Sequence, residues 1–206
     1  MGVAHSLPAN QVPIASPPTS LQERAAQERT GQEQTAAGTG LRHFANVDEG
    51  IYKGSKPKSD ADYEFLQSLH VRYVIDLQVL PLVYRFEKRK AKRYGIELIP
   101  MGMNASPFPP AEKHVEKILA FLRDAQNHPV YFHCALGRDR TALVAALYEM
   151  YFLGMPPPEA LIYLHEAGYK DGWVRSGLIR YLKKHPVPPA GLLSSQQPGS
   201  ATGAPQ

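Results

Sequence analysis

Between residues 41 and 185 the chain alternates short apolar runs with longer stretches whose apolar positions recur three and four apart. Residues 71–77 (VRYVIDL), 95–100 (GIELIP) and 130–133 (VYFH) are brief apolar runs, which predicts buried strands. The stretches between them read as helices. Ser59 and Asp62 form a capping box ahead of Phe65, Leu66 and Leu69. Pro110 opens a segment in which Val115, Ile118, Leu119 and Leu122 make one stripe. Residues 138–152 are apolar almost all round, which marks a buried central helix. Residues 157–167 begin with proline and stop at Gly168, and Val174, Leu178, Tyr181 and Leu182 form a last stripe. Strands alternating with helices over short connections predict an α/β fold, a central and mainly parallel sheet flanked by helices on both faces. Ligands of such folds bind beyond the carboxyl ends of the strands. Cys134 stands at one of those ends.

The two ends of the chain lack this patterning. Residues 1–40 contain no aromatic residue and are rich in Ala, Gln, Thr, Pro and Gly, and residues 186–206 are similar. Neither stretch buries enough apolar surface to offset its ordering entropy, so both are expected to be mobile tails around one domain at 41–185. Within the first, LQERAAQER at 21–29 suits a transient helix. Gly2 in MGVAHS meets the short pattern for N-myristoylation, which a Met-Gly start often meets by chance. No secretory signal is visible and no run of eighteen apolar residues occurs, so no transmembrane segment is expected. A cytoplasmic location is the expectation, with export open to a chain whose leader has been removed. The net charge of +4 suits an anionic partner but is too small for a nucleic-acid binder. A single cysteine excludes an internal disulfide and a cysteine-based metal cluster. A monomer is expected.

That one cysteine sits in HCALGRDRT, residues 133–141. Cys134 and Arg140 are spaced C-x5-R on a turn from strand to helix, and Gly137 permits a positive φ there. Successive N–H groups of such a turn point inward and make an anion nest at a helix N-terminus. Arg140 adds a planar fork for two phosphate oxygens. The same positive field favours thiolate over thiol. The loop is therefore suited to hold a tetrahedral dianion and aim a nucleophile at its centre, giving a phosphocysteine that water then hydrolyses. Thr141 is placed to assist the departing sulfur and His133 to brace the loop. Arg140 and the amides carry the charge of the transition state, so neither metal nor cofactor is called for.

HCALGRDRT resembles the HC-x5-R-[ST] signature of the cysteine-based protein tyrosine phosphatase superfamily. The stretches NVDEGIYKGSKPKSDADYEFLQSLHVRYVIDL, GIELIPM and PPAEKHVEKILAFLRDAQNHPVYFHC resemble its small atypical dual-specificity branch, over roughly residues 43–185. The resemblance implies a dual-specificity-phosphatase-like fold. It implies Cys134 as nucleophile, Arg140 as phosphate grip, Thr141 as leaving-thiolate assistant and the amides of residues 135–139 as cradle. Most relatives take a general acid from an aspartate in the loop after the second apolar run. Here that loop is MGMNASPFPP, with Asn104 and no carboxylate. Asp139 is the nearest substitute, and its DRT setting resembles phosphoinositide phosphatases such as the myotubularins. It reads equally as a charge that only stabilises the helix N-terminus. Asp171 and Glu166 are weaker candidates.

Ala135, Leu136, Gly137 and Arg138 are the expected substrate-binding residues of the loop, joined by Lys56, Lys88 and Arg89. Arg138 puts a second positive charge at the mouth. YRFEKRKAKR at 84–93 carries six basic residues against one acid, and Lys53, Lys56 and Lys58 approach the same rim. Lys90 and Lys92 read as an ordinary solvated face. A crowded cationic pocket suits an inositol polyphosphate or a phosphoinositide, the loop resembling that of tyrosine-phosphatase-like phytases. A phosphotyrosine or dual-specificity protein phosphatase is the alternative. A non-catalytic phosphate-binding module and a rhodanese-like sulfurtransferase are rival classes, and the C-x5-R spacing favours phosphate over the latter. Asp76 reads as a structural tie, Trp173 as packing for the last helix, and His5, His43 and His70 as no metal constellation.

Overall fold

The strand carrying the signature, β5 (Val130–Cys134), is the centre of the molecule. The computed structural model describes residues 38–78, 81–104 and 106–194. The sheet contains β1 (Ala45–Asp48), β2 (Ile51–Ser55), β3 (Tyr73–Asp76), β4 (Glu97–Pro100) and β5, in the order β1-β2-β5-β3-β4. All pairs are parallel except the β1–β2 hairpin at one edge. The register sets Ser55 opposite Cys134, and Asp76 opposite both His133 and Pro100. The carboxyl ends of the four parallel strands thus form one row.

β5 is buried throughout. Alternation sends its side chains to opposite faces. Val130, Phe132 and Cys134 join the larger core, with Ile118, Leu119, Leu143 and Leu147. Tyr131 joins the smaller one, with Tyr63, Leu66, Val74 and Ala91. The smaller core is roofed by α1 (Asp60–Ser68) and α2 (Pro81–Arg93). The larger is covered by α3 (Glu112–Arg123), α4 (Arg140–Phe152), α5 (Pro157–Glu166) and α6 (Ser176–Lys184). The expected mainly parallel sheet with helices on both faces is therefore present.

Most of the expected helices form for the reasons read in the sequence. Ser59 accepts from the Asp62 N–H and Asp62 accepts from the Ser59 N–H, which completes the capping box of α1. The stripe Val115, Ile118, Leu119 and Leu122 is buried on α3. Ten residues of α4, from Thr141 to Met150, are buried, as an all-apolar helix requires. Leu178, Tyr181 and Leu182 are buried on α6, and the side chain of Val174 lies outside the described residues.

Four differences have physical causes. The β1–β2 hairpin is hidden in the sequence by Asn46, Asp48 and Gly54, which read as loop residues. Gly54 is there because a Cβ would strike the hydroxyl of Tyr131, which donates to the Ser55 carbonyl at 2.6 Å. The central helix starts at Arg140, since residues 138 and 139 belong to the loop. Trp173 is 77% exposed and does not pack the last helix. Finally, residues beyond 185 add a short helix, α7 (Ala190–Ser194), whose Leu192 enters the larger core, so packing continues into the expected C-terminal tail. Gly2, the 21–29 segment and most of both expected tails lie outside the described residues.

Candidate active site

The loop from Cys134 to Arg140 leaves β5 and enters α4. Its tightest point is Gly137, with φ +79°. A Cβ there would stand 2.8 Å from the Gly54 carbonyl carbon and 2.9 Å from the Ser55 nitrogen. The loop therefore lies directly on the end of β2, and only glycine allows both the backbone angle and the approach. The end of β2 is fixed in turn, with the Ser55 N–H donating to the Arg42 carbonyl at 2.8 Å and the Arg42 N–H to the Ser55 hydroxyl at 2.9 Å.

Cys134 is buried beneath this loop. Burial works against its ionisation, but the Thr141 hydroxyl and N–H, the Arg140 guanidinium and the Leu136 N–H all favour the thiolate. Together they prevail and hold the thiol below its ordinary range. The Thr141 hydroxyl is buried with no oxygen or nitrogen partner, which leaves it to the sulfur. Arg140 is oriented by two carbonyls, its Nη1 donating to Leu77 at 3.2 Å and to Met103 at 3.3 Å. Its buried Nε has no protein partner, so a donor is left over for a ligand.

His133 faces away from the thiol, as strand alternation requires. Its Nε2 lies 2.7 Å from a Glu87 carboxylate oxygen and its Nδ1 3.3 Å from the Cys134 carbonyl and 4.0 Å from Asp76. The other Glu87 oxygen is 2.5 Å from Lys56. Burial depresses the His133 imidazole, yet Glu87 first, then Asp76 and the Cys134 carbonyl, raise it above its ordinary value. Burial likewise opposes a charged Glu87, but His133 and Lys56 hold its carboxyl low. Asp76 is pushed up by burial and accepts from the Gln78 N–H at 2.8 Å, which fits its expected role as a tie. Ligand atoms of Asp76, Glu87 and His133 lie within 4.8 Å of one another. Of the three, Glu87 is paired with the Lys56 ammonium.

The other expected residues divide clearly. Ala135, Leu136, Gly137 and Arg138 line the loop. Arg138 is half-buried, with a buried Nε that has no partner and a side chain lying against Gly168, next to His43. Asp139 is in an ion pair with Arg175 at 3.5 Å and makes no side-chain cap on α4. Lys56 is spent on Glu87 and is not a rim cation. Lys88 and Arg89 are exposed. The helical turn that carries Glu87 inward carries them into solvent, Lys88 over the Tyr84 ring. Lys90 pairs with Asp60 at 3.0 Å, and Lys53 is buried over the Tyr163 ring. Glu166 and Asp171 are exposed near the end of α5, with Asp171 3.9 Å from His165. Asn104 is exposed, and the 106–108 stretch is tied to α6 by the Gly177 N–H donating to the Ser106 carbonyl at 3.1 Å. Sequence reading missed Glu87 and Arg175. The only available signal for Glu87 was its being the one acid in a basic helix.

The model of the tyrosine phosphatase family matches residues 40–149, more than half of the chain and the whole of the loop. The chain belongs to the tyrosine phosphatase family. Within it, the chain is 34% identical to the inositol diphosphatase DSP4 of Arabidopsis thaliana over 103 residues, 48% of this chain and 50% of that protein. It is also 34% identical to the inositol diphosphatase DSP1 of Oryza sativa subsp. japonica over 116 residues, 52% of this chain and 51% of that one. The chain thus spans about half the length of the curated relatives it matches. Among solved structures, the core catalytic domain of the S. cerevisiae PP-IP phosphatase SIW14 superposes with TM-score 0.56 at 20% identity, covering 68% of this chain and 83% of that one. TpbA of P. aeruginosa, solved in complex with pTyr, gives 0.56 at 20% identity over 68% and 82%. These structural likenesses are to the fold. Among the described residues no helix is long and apolar enough to cross a membrane.

Proposed function

We propose that this member of the tyrosine phosphatase family is a metal-independent, cysteine-dependent phosphatase acting on inositol polyphosphates. The observation that carries the chemistry is the buried Cys134 thiol, lowered despite burial by Thr141 and Arg140. In the first step the Cys134 thiolate attacks phosphorus, the bond from phosphorus to the leaving oxygen breaks, and that oxygen takes a proton. In the second, water attacks the phosphocysteine, the P–S bond breaks, and the sulfur leaves as thiolate beside the Thr141 hydroxyl. Arg140 and the loop amides bear the equatorial oxygens throughout.

Two features support the substrate class. Arg138 presents a buried, unpartnered donor beside His43, whose imidazole is lowered by burial and then by the positive charges of Lys53, Arg138 and Arg42. Such a corner suits phosphates beyond the one being cleaved. The chain also lacks a carboxylate at Asn104. A diphosphate group is the substrate least harmed by that lack, because its leaving group is a phosphate that departs without full protonation. The relatives named inositol diphosphatase agree with this preference.

A phosphotyrosine substrate is the second reading. Phe108, 75% exposed beside α6, and Trp173, 77% exposed two residues before Arg175, offer apolar surface on the side where Arg175 meets Asp139. Phosphate release from one panel separates the readings. The panel holds an inositol diphosphate, inositol hexakisphosphate, a phosphoinositide and a phosphotyrosine peptide. The inositol reading expects the highest kcat/KM on an inositol compound, and preference for the peptide overturns it.

A further inference from the structure

The helix α2 turns Glu87 and Ala91 inward, with Tyr84 half-buried beside them. On its outer side Leu82 and Phe86 stand one turn apart, 70% and 71% exposed. Arg89 and Arg93 continue the same line along the helix, and Arg85 and Lys92 flank it, all of them exposed. The one acid of α2, Glu87, is buried and paired with Lys56, so it does not temper this face. Asp60 of α1 approaches the far end, where Lys90 takes it at 3.0 Å and Arg93 stands 3.9 Å away. Among the described residues no carboxylate pairs with Arg85, Arg89 or Lys92.

We propose that this outer face of α2 is a docking surface for an anionic lipid membrane, with Leu82 and Phe86 entering the acyl boundary and the four cations resting among the headgroups. The six side chains share one face of one helix, so a single plane can meet all of them. A bilayer surface answers both halves of the pattern. Lipid phosphates and carboxylates attract the cations, and the hydrocarbon edge just beneath receives the apolar pair. A protein partner fits less well, because charged residues are depleted from the core of protein interfaces, and here arginines continue the apolar line itself. A nucleic acid would give the Leu82 side chain nothing to meet, and the net charge of +4 is small for such a binder. The helix starts at Pro81, shortly after Leu77, whose carbonyl holds Arg140. The apolar pair therefore stands on the half of α2 that adjoins the strand ends where the catalytic loop lies.

Sedimentation of the full chain with lipid vesicles tests the proposal and uses no substrate, so it fails separately from the substrate assignment. Vesicles of phosphatidylcholine with about 30% phosphatidylserine should bind the chain, and high salt should release it. Vesicles of phosphatidylcholine alone should bind far less. Leu82→Ser with Phe86→Ser should weaken binding to the anionic vesicles about tenfold or more. Arg85→Gln with Lys92→Gln should also weaken it about tenfold or more. All four side chains are exposed, so the Tm of each variant should match that of the unaltered protein, which separates lost docking from lost fold. Inorganic phosphate, added at constant ionic strength to fill the catalytic loop, should leave sedimentation unchanged. The unaltered protein alone can overturn the proposal, by failing to bind the anionic vesicles, by binding both kinds of vesicle equally, or by being released by phosphate, which would put the contact at the loop. Unchanged binding in both folded variants overturns it too. Tighter binding to a DNA duplex than to the anionic vesicles would assign the face to nucleic acid instead.

Discussion

Asp139 and Arg175 meet at 3.5 Å, thirty-six residues apart, and their contact ties the catalytic loop to the short helical turn before α6. The carboxylate stays outside the α4 cap, since no backbone N–H of that helix uses it. We propose it as the proton source, because the loop after β4 offers no competing carboxylate. Asp139→Asn should lower kcat by about 10²–10⁴ on a poor leaving group such as an inositol alcohol. It should matter little for para-nitrophenol, which leaves unprotonated. Parallel assays on the two leaving groups check this. Equal losses on both would assign Asp139 to loop shape through Arg175, not to proton transfer.

The contrast between Cys134 and Glu87 shows what the sequence could reveal. Cys134, Gly137, Arg140 and Thr141 lie within eight residues on one local turn, so the chemistry proposed for them is readable without a fold. Glu87 acts on His133 from another helix, and Arg175 acts on Asp139 from beyond two helices. Such partners become neighbours only through the sheet order. The same limit explains Lys56, which Glu87 takes up from another element. A charge count sees six basic residues in 84–93, but which turn of α2 faces the sheet decides whether any reaches a ligand. In α3, by contrast, the apolar stripe itself names the inward face, and its four buried positions are those the spacing picks out.

The Arg140 guanidinium is anchored by one nitrogen to the carbonyls of Leu77 and Met103. Arg140→Lys keeps a positive charge but loses both the anchor and the fork that grips two oxygens. We expect kcat to fall by orders of magnitude, because the fork is tightest on the trigonal transition state. Steady-state kinetics decide the point. A rise in KM with kcat unchanged would reduce Arg140 to an attractor of anions. Cys134→Ser is the companion variant. It should lose turnover while still binding inorganic phosphate in a calorimeter, since the amide cradle does not need sulfur.

Gly137→Ala tests whether the loop rests on β2. The substitution meets both a positive φ and a carbonyl carbon 2.8 Å from the new methyl. The backbone strain alone is worth about 1–3 kcal/mol. Thermal denaturation should show a lower Tm. Activity should fall further than the lost stability explains, because Ser55 and Gly54 must move away from Cys134's neighbours. A variant with native activity at moderate temperature would mean the loop tolerates a shifted β2 end.

Acid should release a different part of the fold, the entry to α1. Asp62 is buried and accepts from the Gly40 N–H on one oxygen and from the Lys58 and Ser59 N–H groups on the other. Burial disfavours its charge, but these three donors and the Ser59 hydroxyl outweigh it and hold the carboxyl below its ordinary value. A depressed folded value means that the charged form stabilises the fold. That contribution is fully present above an unfolded value of about 3.9 and is lost as pH falls through the lower folded value. In Asp62→Asn, at least one backbone donor must face an amide NH₂ whichever way the side chain turns. Urea unfolding at pH 7 should therefore show a loss of about 1–3 kcal/mol. The gap to the unaltered protein should narrow as both are taken into acid. A loss of the same size at every pH would assign the effect to packing and not to the carboxylate's charge.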